Sequence, residues 1–451
     1  METLQRTANR GSISTGYDIT NSLKLEEDNS EYLERATGGG NGSTTQHTIS
    51  VWVKRTEITK TSFILGFAGI GRLRFESDDK IEYQFRSGRK LETNRLFRDT
   101  SAWYHIVVVA DSTLATSTDR MKLYINGVRE TDLLTYIPQD QNQGSPAWGV
   151  YNTYNYRIGY SGTAGENFNG YIADAYYING QTLDPTDFGE FDEDSGIWKP
   201  KAFTGTFGSL DNYLDFSNSS NLGEDANGGT DLSLNNITSA DQATDTPTNN
   251  FATWNVNYNY TNSNGNPTIT EGATKTAESS GGWTQAKATM GVTSGKWYWE
   301  YKMGGSISFM GVQDDTASQT EFAGQYSLLL YNGDTTVEIN DTGSLRDDTV
   351  LSYTFSTSNI YAVALNMDDN EISYYQNGSI IGSAISLDGL SDRLLLPYIG
   401  THSSTNETNF GGYTTISISS AATDANGYGT FEYAPPSGYY ALCTKNLAEY
   451  G

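Results

Sequence analysis

Glu190-Phe191-Asp192-Glu193-Asp194 sets four carboxylates within five residues. Carboxyl groups about 5 Å apart can act as nucleophile and acid/base in glycoside hydrolysis, a separation that long side chains at i and i+4 on one strand face can approach. The segment follows Gly189 and precedes Ser195-Gly196, so a solvated acidic turn leaving a domain is the competing reading. Met367-Asp368-Asp369-Asn370-Glu371 and Glu224-Asp225-Ala226-Asn227 are rich in the oxygen donors that calcium takes, yet neither has the spacing of an EF-hand loop, and ordinary turns explain both. Trp148-Gly149-Val150-Tyr151-Asn152-Thr153-Tyr154-Asn155-Tyr156 combines rings with amides after a polar loop, Gln139 to Ser145. Sugars lay C–H faces on aromatic rings and take hydrogen bonds from turn amides. Trp148, Tyr151, Asn152, Tyr154 and Asn155 are therefore the candidate ligand-binding residues; alternatively, Tyr151 and Tyr156 simply pack at the start of a strand. Arg72, Arg74, Arg86, Arg89, Lys90 and Arg95 concentrate positive charge, either on a solvated sheet face or for docking against an acidic neighbouring subunit.

Other chemistries find little support. No G-x-S-x-G elbow is present, and Gly38-Gly39-Gly40-Asn41-Gly42 adjoins no helical pattern that could complete a phosphate cradle. The single cysteine, Cys443, leaves no internal disulfide framework or cysteine-based zinc site, and His47, His105 and His402 lie far apart.

The elements that must carry these residues read as strands. Among 451 residues are 47 Gly and nine Asn-Gly pairs, each pair a candidate tight reversal because it tolerates positive φ. Between them lie short alternating runs such as Ile49 to Val53 and Ile81 to Phe85; Trp103 to Val109 reads as a more buried strand. Trp52, Trp103, Trp297 and Trp299 alternate within such runs and belong to a core. No window keeps a helical apolar period, and one helical turn is expected after Asp184-Pro185. The chain is all-β.

With 8 Trp, 31 Tyr and 17 Phe, the chain has ample surface to bury and is not a disordered polymer. A formal charge of −26 argues against nucleic acid and anionic membrane as partners. No run approaches the roughly 20 apolar residues of a membrane span, and Met1 to Arg6 lacks the apolar core of a signal peptide.

Four segments are expected: an arm over 1–16, a sandwich over 17–190, a polar joining segment over 191–250 and a second sandwich over 251–451. Two short stretches echo each other. Met121 to Arg129 and Ile372 to Ile381 each run an alternating strand into an Asn-Gly turn, with an aromatic two places before the Asn.

The first sandwich resembles a concanavalin A-like jelly roll of laminin-G or pentraxin type. The resemblance is carried by Ser50-Val51-Trp52-Val53-Lys54, Trp103 to Val108, Leu123 to Gly127, and the closing strand Phe168 to Tyr177. The second resembles a SPRY-type sandwich through Gly295-Lys296-Trp297-Tyr298-Trp299-Glu300, Tyr361 to Asp368, Tyr375 to Gly378 and Leu396 to Gly400. Tyr213 to Phe216, Leu232 to Gln242, Asp245 to Thr253 and the end Phe431 to Cys443 resemble segments of marine bacteriophage structural and fibre proteins.

These resemblances imply two tandem jelly-roll sandwiches in a non-enzymatic virion protein, a tail or capsid appendage made in the host cytoplasm. Its expected partners are other virion proteins, copies of itself and host surface polysaccharide, with the arm as anchor. Calcium at one rim is the one cofactor that the laminin-G resemblance brings in. A glucanase-type depolymerase is the alternative, because glycosidases on this sandwich carry an E-x-D-x-(x)-E strand; here Asp194 and Ser195 stand where that motif ends in Glu. A purely architectural decoration protein is the second alternative.

Overall fold

The computed structural model describes residues 16–451 except 37–39, 68, 152, 259–264, 306, 317–326, 332–335, 341–345 and 388. The expected anchoring arm thus lies almost wholly outside the described residues. The chain divides into two units between Thr248 and Asn249.

The first unit runs through β1 (Ser22–Leu25), β2 (Tyr32–Arg35), β3 (Gln46–Arg55), β4 (Ser62–Phe67), β5 (Gly71–Phe75) and β6 (Ile81–Arg86). β7 (Arg89–Thr93), β8 (Tyr104–Asp111), β9 (Met121–Ile125), β10 (Val128–Arg129), β11 (Leu133–Ile137) and β12 (Tyr156–Ile158) follow. β13 (Gly170–Asn179), β14 (Gly189–Phe191), β15 (Trp198–Pro200), β16 (Asn212–Leu214), β17 (Ser233–Asn235) and β18 (Gln242–Ala243) complete it. One sheet has the order β10-β9-β8-β3-β13-β1-β18, with β16 also on β13; the facing sheet is β11-β7-β6-β5-β4-β12-β2-β17. Inward positions alternate with outward ones, so Ile49, Val51 and Val53 meet Leu73, Phe75 and Tyr83 in one core.

Of residues 191–250, expected as a polar joining segment, those up to Thr248 instead belong to the first unit. β16 pairs with β13, β17 with β2 and β18 with β1. Leu214, Phe216, Leu222, Leu232 and Ile237 enter the core singly between polar turns, which is why the stretch reads as hydrophilic. Two lysines on outward positions of the first sheet hold its end. Lys24 Nζ lies 2.9 Å from both Glu31 and Asp241, and Lys54 Nζ lies 2.7 Å from Asp245, all of them buried.

The second unit contains β19 (Thr268–Thr270), β20 (Lys275–Ala277), β21 (Trp283–Lys287), β22 (Lys296–Met303), β23 (Ser308–Asp314), β24 (Ser327–Tyr331) and β25 (Thr336–Asn340). β26 (Arg346–Val350), β27 (Tyr361–Asn366), β28 (Glu371–Gln376), β29 (Ser379–Ser386), β30 (Leu395–His402), β31 (Thr405–Asn409), β32 (Tyr440–Ala441) and the short helix α1 (Thr444–Tyr450) follow. Its sheets are β19-β20-β31-β22-β27-β28-β29, with β32 on β22, and β21-β30-β23-β24-β25-β26. Trp254, Trp297, Trp299 and Tyr301 fill the space between them.

The echoed motifs do the same job in both units. Asn126-Gly127 and Asn377-Gly378 adopt positive φ at both positions (49° and 75°, 48° and 75°), the requirement of the tightest hairpin turns. Each Asn also exchanges hydrogen bonds with a neighbouring strand, at His105 in one unit and Ile360 in the other. The helical turn expected after Asp184 is a 3-10 turn over Pro185–Asp187, closed by a capping box.

Glu300, the acid of the Trp-Tyr-Trp-Glu strand, holds the C-terminal segment in place. Its buried carboxylate accepts from Tyr298 Oη, Asn409 Nδ2 and the backbone N–H groups of Glu432 and Tyr433. Glu300→Ala leaves those donors unpaired, and a loss of about 2–3 kcal/mol is expected. Urea unfolding followed through tryptophan fluorescence checks this; a loss under about 0.5 kcal/mol would mean that water replaces the carboxylate.

Candidate functional site

On β5, β6 and β7 the apolar residues Leu73, Phe75, Ile81, Tyr83, Phe85 and Leu91 point into the core. The intervening residues Arg72, Arg74, Glu82, Gln84, Lys90 and Glu92 therefore share the outer face. With Glu76, Ser77, Asp78, Gly88 and Ile137 they line an open groove of about 450 Å³. Glu82 is its centre, only 2% exposed. Arg72 Nε and Arg74 Nε lie 3.0 and 3.2 Å from Glu82 Oε1, and Lys90 Nζ lies 2.8 Å from Oε2. Burial alone would raise the Glu82 carboxyl, but the Lys90 hydrogen bond and the charges of Arg72 and Arg74 outweigh it and hold it below the usual range. Glu76, with burial dominating, is shifted upward.

Arg74 also reaches Glu76 at 2.8 Å, and Lys90 reaches Glu92 at 3.1 Å. The three cations of the groove thus face four carboxylates, a closely spaced lattice of donors and acceptors with little net charge. Such a floor suits a ligand rich in hydroxyl groups rather than an apolar one. The remaining cations of the cluster are engaged nearby: Arg86 donates to Gly144 O at 2.9 Å, Arg89 pairs with Asp140 at 3.1 Å, and Arg95 lies over the Phe97 ring. The cluster noted in the sequence is therefore largely neutralised within its own unit.

The aromatic stretch 148–156 does not form the expected sugar platform. Trp148 and Tyr151 are fully buried. Trp148 stacks on His47 and Tyr177 (4.6 and 5.6 Å between centroids) and donates from Nε1 to Gln84 O. Gly71 makes room for it, since a Cβ there would sit 2.5 Å from Trp148 Nε1. Tyr151 donates to Leu210 O, and the Arg35 guanidinium lies 4.4 Å from its ring centre. Tyr154 packs half-buried against the same core and Asn155 is half-buried, while Asn152 lies outside the described residues. The two large rings gain more by filling the inter-sheet space than by facing water, and composition does not distinguish these fates.

The acidic run spans the hairpin of β14 and β15. Lys199 Nζ lies 3.5 Å from Glu190 and 3.2 Å from Asp192. Hydrogen bonds from Ser195, then Lys199, hold Asp192 down to about 2, so near neutrality it has no proton to donate to a leaving group. The Asp194 backbone N–H donates to Asp192 Oδ1 at 3.2 Å.

A buried serine–histidine contact went unnoticed in the sequence, where its two residues lie 55 apart. Ser50 Oγ is 2.8 Å from His105 Nε2, and Trp198 Nε1 is 2.9 Å from His105 Nδ1. An indole N–H only donates, so Nδ1 carries the lone pair and Nε2 the proton. His105 consequently donates to Ser50 and cannot remove its proton, the reverse of a nucleophile–base pair. Burial lowers this imidazole to about 3, keeping it neutral.

At the two oxygen-rich turns the donors are engaged locally. Asp368 accepts from Gly295 N, Asp369 pairs with Lys296 at 2.8 Å, and Asp225 accepts from Asn212 and from the backbone of Tyr213 and Asn227. Among the described residues no group of three or more His, Cys, Asp or Glu could hold a metal ion.

The groove itself has a sequence signal: alternating charges at Arg72/Arg74, Glu82/Gln84 and Lys90/Glu92 on three successive short runs. The carboxylates that alternate with the cations complete the pattern.

Residues 27–185 match the laminin G-type family described as the concanavalin A-like lectin/glucanases superfamily, so the first unit contains a concanavalin A-like domain. No curated protein matches the chain. Similar solved structures include the SPRY domain of human HERC1, at 18% identity and TM-score 0.26, covering 31% of this chain and 89% of that one. Another is the heptameric SAP-like pentraxin from Limulus polyphemus, at 16% identity and TM-score 0.28, covering 37% of this chain and 80% of that one.

Proposed function

We propose that this chain is a non-enzymatic adhesion and structural protein of a bacteriophage particle, whose first unit contacts host surface polysaccharide through the β5–β6–β7 groove. The observation that carries the glycan reading is the Arg72–Glu82–Lys90 lattice. It offers charged donors and acceptors in an open trough, with Arg72 and Lys90 side chains 21% and 31% exposed. The phage assignment rests on the resemblance of Tyr213 to Phe216, Leu232 to Gln242, Asp245 to Thr253 and Phe431 to Cys443 to segments of virion proteins. Many copies on one particle would turn a weak single-site contact into firm attachment.

The depolymerase alternative would use the β14–β15 hairpin, where Glu190 and Asp192 are both tied to Lys199. A purely decorative role remains the rival that binding experiments separate. Ile137 is 42% exposed at the groove wall, so Ile137→Glu should change binding with little effect on folding. Retention on immobilised polysaccharide is expected to fall at least about tenfold in Ile137→Glu and in Lys90→Ala, equivalent to about 1.4 kcal/mol. Wild-type retention that survives both changes places the contact elsewhere.

A further inference from the structure

We propose that Lys24 and Asp241 are joined by an intramolecular amide bond, formed by the chain itself with Glu31 as the proton carrier. The observation is a three-residue constellation closed off from water. Lys24 is 0% exposed, Glu31 3% and Asp241 6%. β1 and β18 are antiparallel neighbours with Leu23 opposite Gln242, so the next pair outward brings Lys24 opposite Asp241. Residues so placed have Cβ atoms about 5 Å apart, close enough for their side chains to meet.

The groups are oriented for the reaction as well as near each other. Asp241 Oδ2 accepts from the Thr238 backbone N–H at 2.8 Å and from Thr238 Oγ1 at 3.2 Å. Its other oxygen, Oδ1, lies 2.9 Å from Lys24 Nζ. The carboxyl is thus polarised on the side away from the amine, as an oxyanion would require, and the oxygen that must leave is the one in contact with Nζ. Glu31 touches Nζ with both oxygens (3.0 and 2.9 Å) and is itself fixed by Glu26 N–H and Asn29 Nδ2, each at 2.8 Å. Burial raises the Glu31 carboxyl against the pull of Lys24, which makes it a better proton acceptor than an exposed carboxylate.

The step balances without any other reagent. Glu31 takes a proton from the Lys24 ammonium and passes it to Asp241 Oδ1, and the freed Nζ lone pair attacks Cγ of the neutral acid so formed; Glu31 then carries a second proton from Nζ to Oδ1. The Cγ–Oδ1 bond breaks, Oδ1 leaves as water with protons delivered through Glu31, and Oδ2 stays as the amide carbonyl. One ammonium and one carboxylate become one neutral amide and one water, and Glu31 ends as it began. Removing both charges also removes the cost of burying them, which favours the linked product in this site.

The test is peptide mapping by mass spectrometry of the full chain, denatured and protease-digested. The expected result is a branched peptide joining the segments that hold Lys24 and Asp241, one water lighter than their sum. Lys24→Arg, which keeps the positive charge, and Glu31→Gln, which keeps the side-chain shape, should each yield the two segments unlinked. Quantitative recovery of the unlinked segments from the wild-type chain would overturn the proposal whether or not the variants fold. A branched peptide that persists in Glu31→Gln would overturn the role given to Glu31.

Discussion

Asp245→Ala is expected to cost the first unit about 3–5 kcal/mol, the usual penalty for stranding one member of a buried ion pair. Lys54 is 0% exposed and its ammonium lies 2.7 Å from Asp245 Oδ2. The same carboxylate accepts from Trp103 Nε1 at 3.0 Å, and the Asp245 backbone oxygen accepts from Ser22 Oγ at 2.6 Å. Removing the carboxylate leaves a buried charge and a buried indole N–H facing a cavity. The double change Asp245→Leu with Lys54→Met, which removes both charges and restores volume, should recover most of the loss. Urea unfolding of the three proteins measures both effects; a loss below about 1 kcal/mol in Asp245→Ala would show that the closing segment contributes little to the sandwich.

The second large effect is on pH. Asp174 sits in the bulge of β13, between Ala173 and Tyr176, with φ of 42°. Tyr17 and Tyr213 donate to it at 2.9 and 3.1 Å, which favours ionisation, but its burial prevails and raises the carboxyl to about 7. In the unfolded chain it titrates near its ordinary 3.8. Between these values the folded protein holds a proton that the unfolded chain releases, so stability falls as pH rises from about 4 to 7 and stays lower above. A displacement of this size corresponds to up to about 4 kcal/mol. Asp174→Asn cannot ionise, so its pH 5 to pH 8 difference in unfolding free energy should shrink by about 2.5 kcal/mol relative to wild type. An undiminished difference would assign the pH dependence to other carboxyls.

Much of the architecture was legible because it depends on local patterns. Alternation marked β3, β6 and β22, and Asn126-Gly127 and Asn377-Gly378 marked hairpins whose backbone has the expected handedness. Trp52, Trp103, Trp297 and Trp299, expected in the core, are buried. The stretch 191–250 was illegible for a physical reason. β16, β17 and β18 are two or three residues long, too short for alternation to show, and the charges that clasp them are buried in pairs contributed by distant parts of the chain. Lys24 and Lys54 stand at outward positions of their strands, and only Asp241 and Asp245, far along the chain, bury them. Tertiary placement likewise decided the aromatic run: Trp148 and Tyr151 have the composition of a sugar platform, but Gly71 opens a space in the core that Trp148 fills.

The most direct test of the functional account is one incubation read two ways. Soluble host-type polysaccharide is mixed with wild-type protein and with Ile137→Glu, and both bound protein and newly formed reducing ends are measured. The account predicts that wild type binds, that Ile137→Glu binds at least about tenfold more weakly, and that neither releases reducing ends. Release of reducing ends that disappears in Glu190→Gln with Asp192→Asn, or binding unaffected by Ile137→Glu, would contradict it.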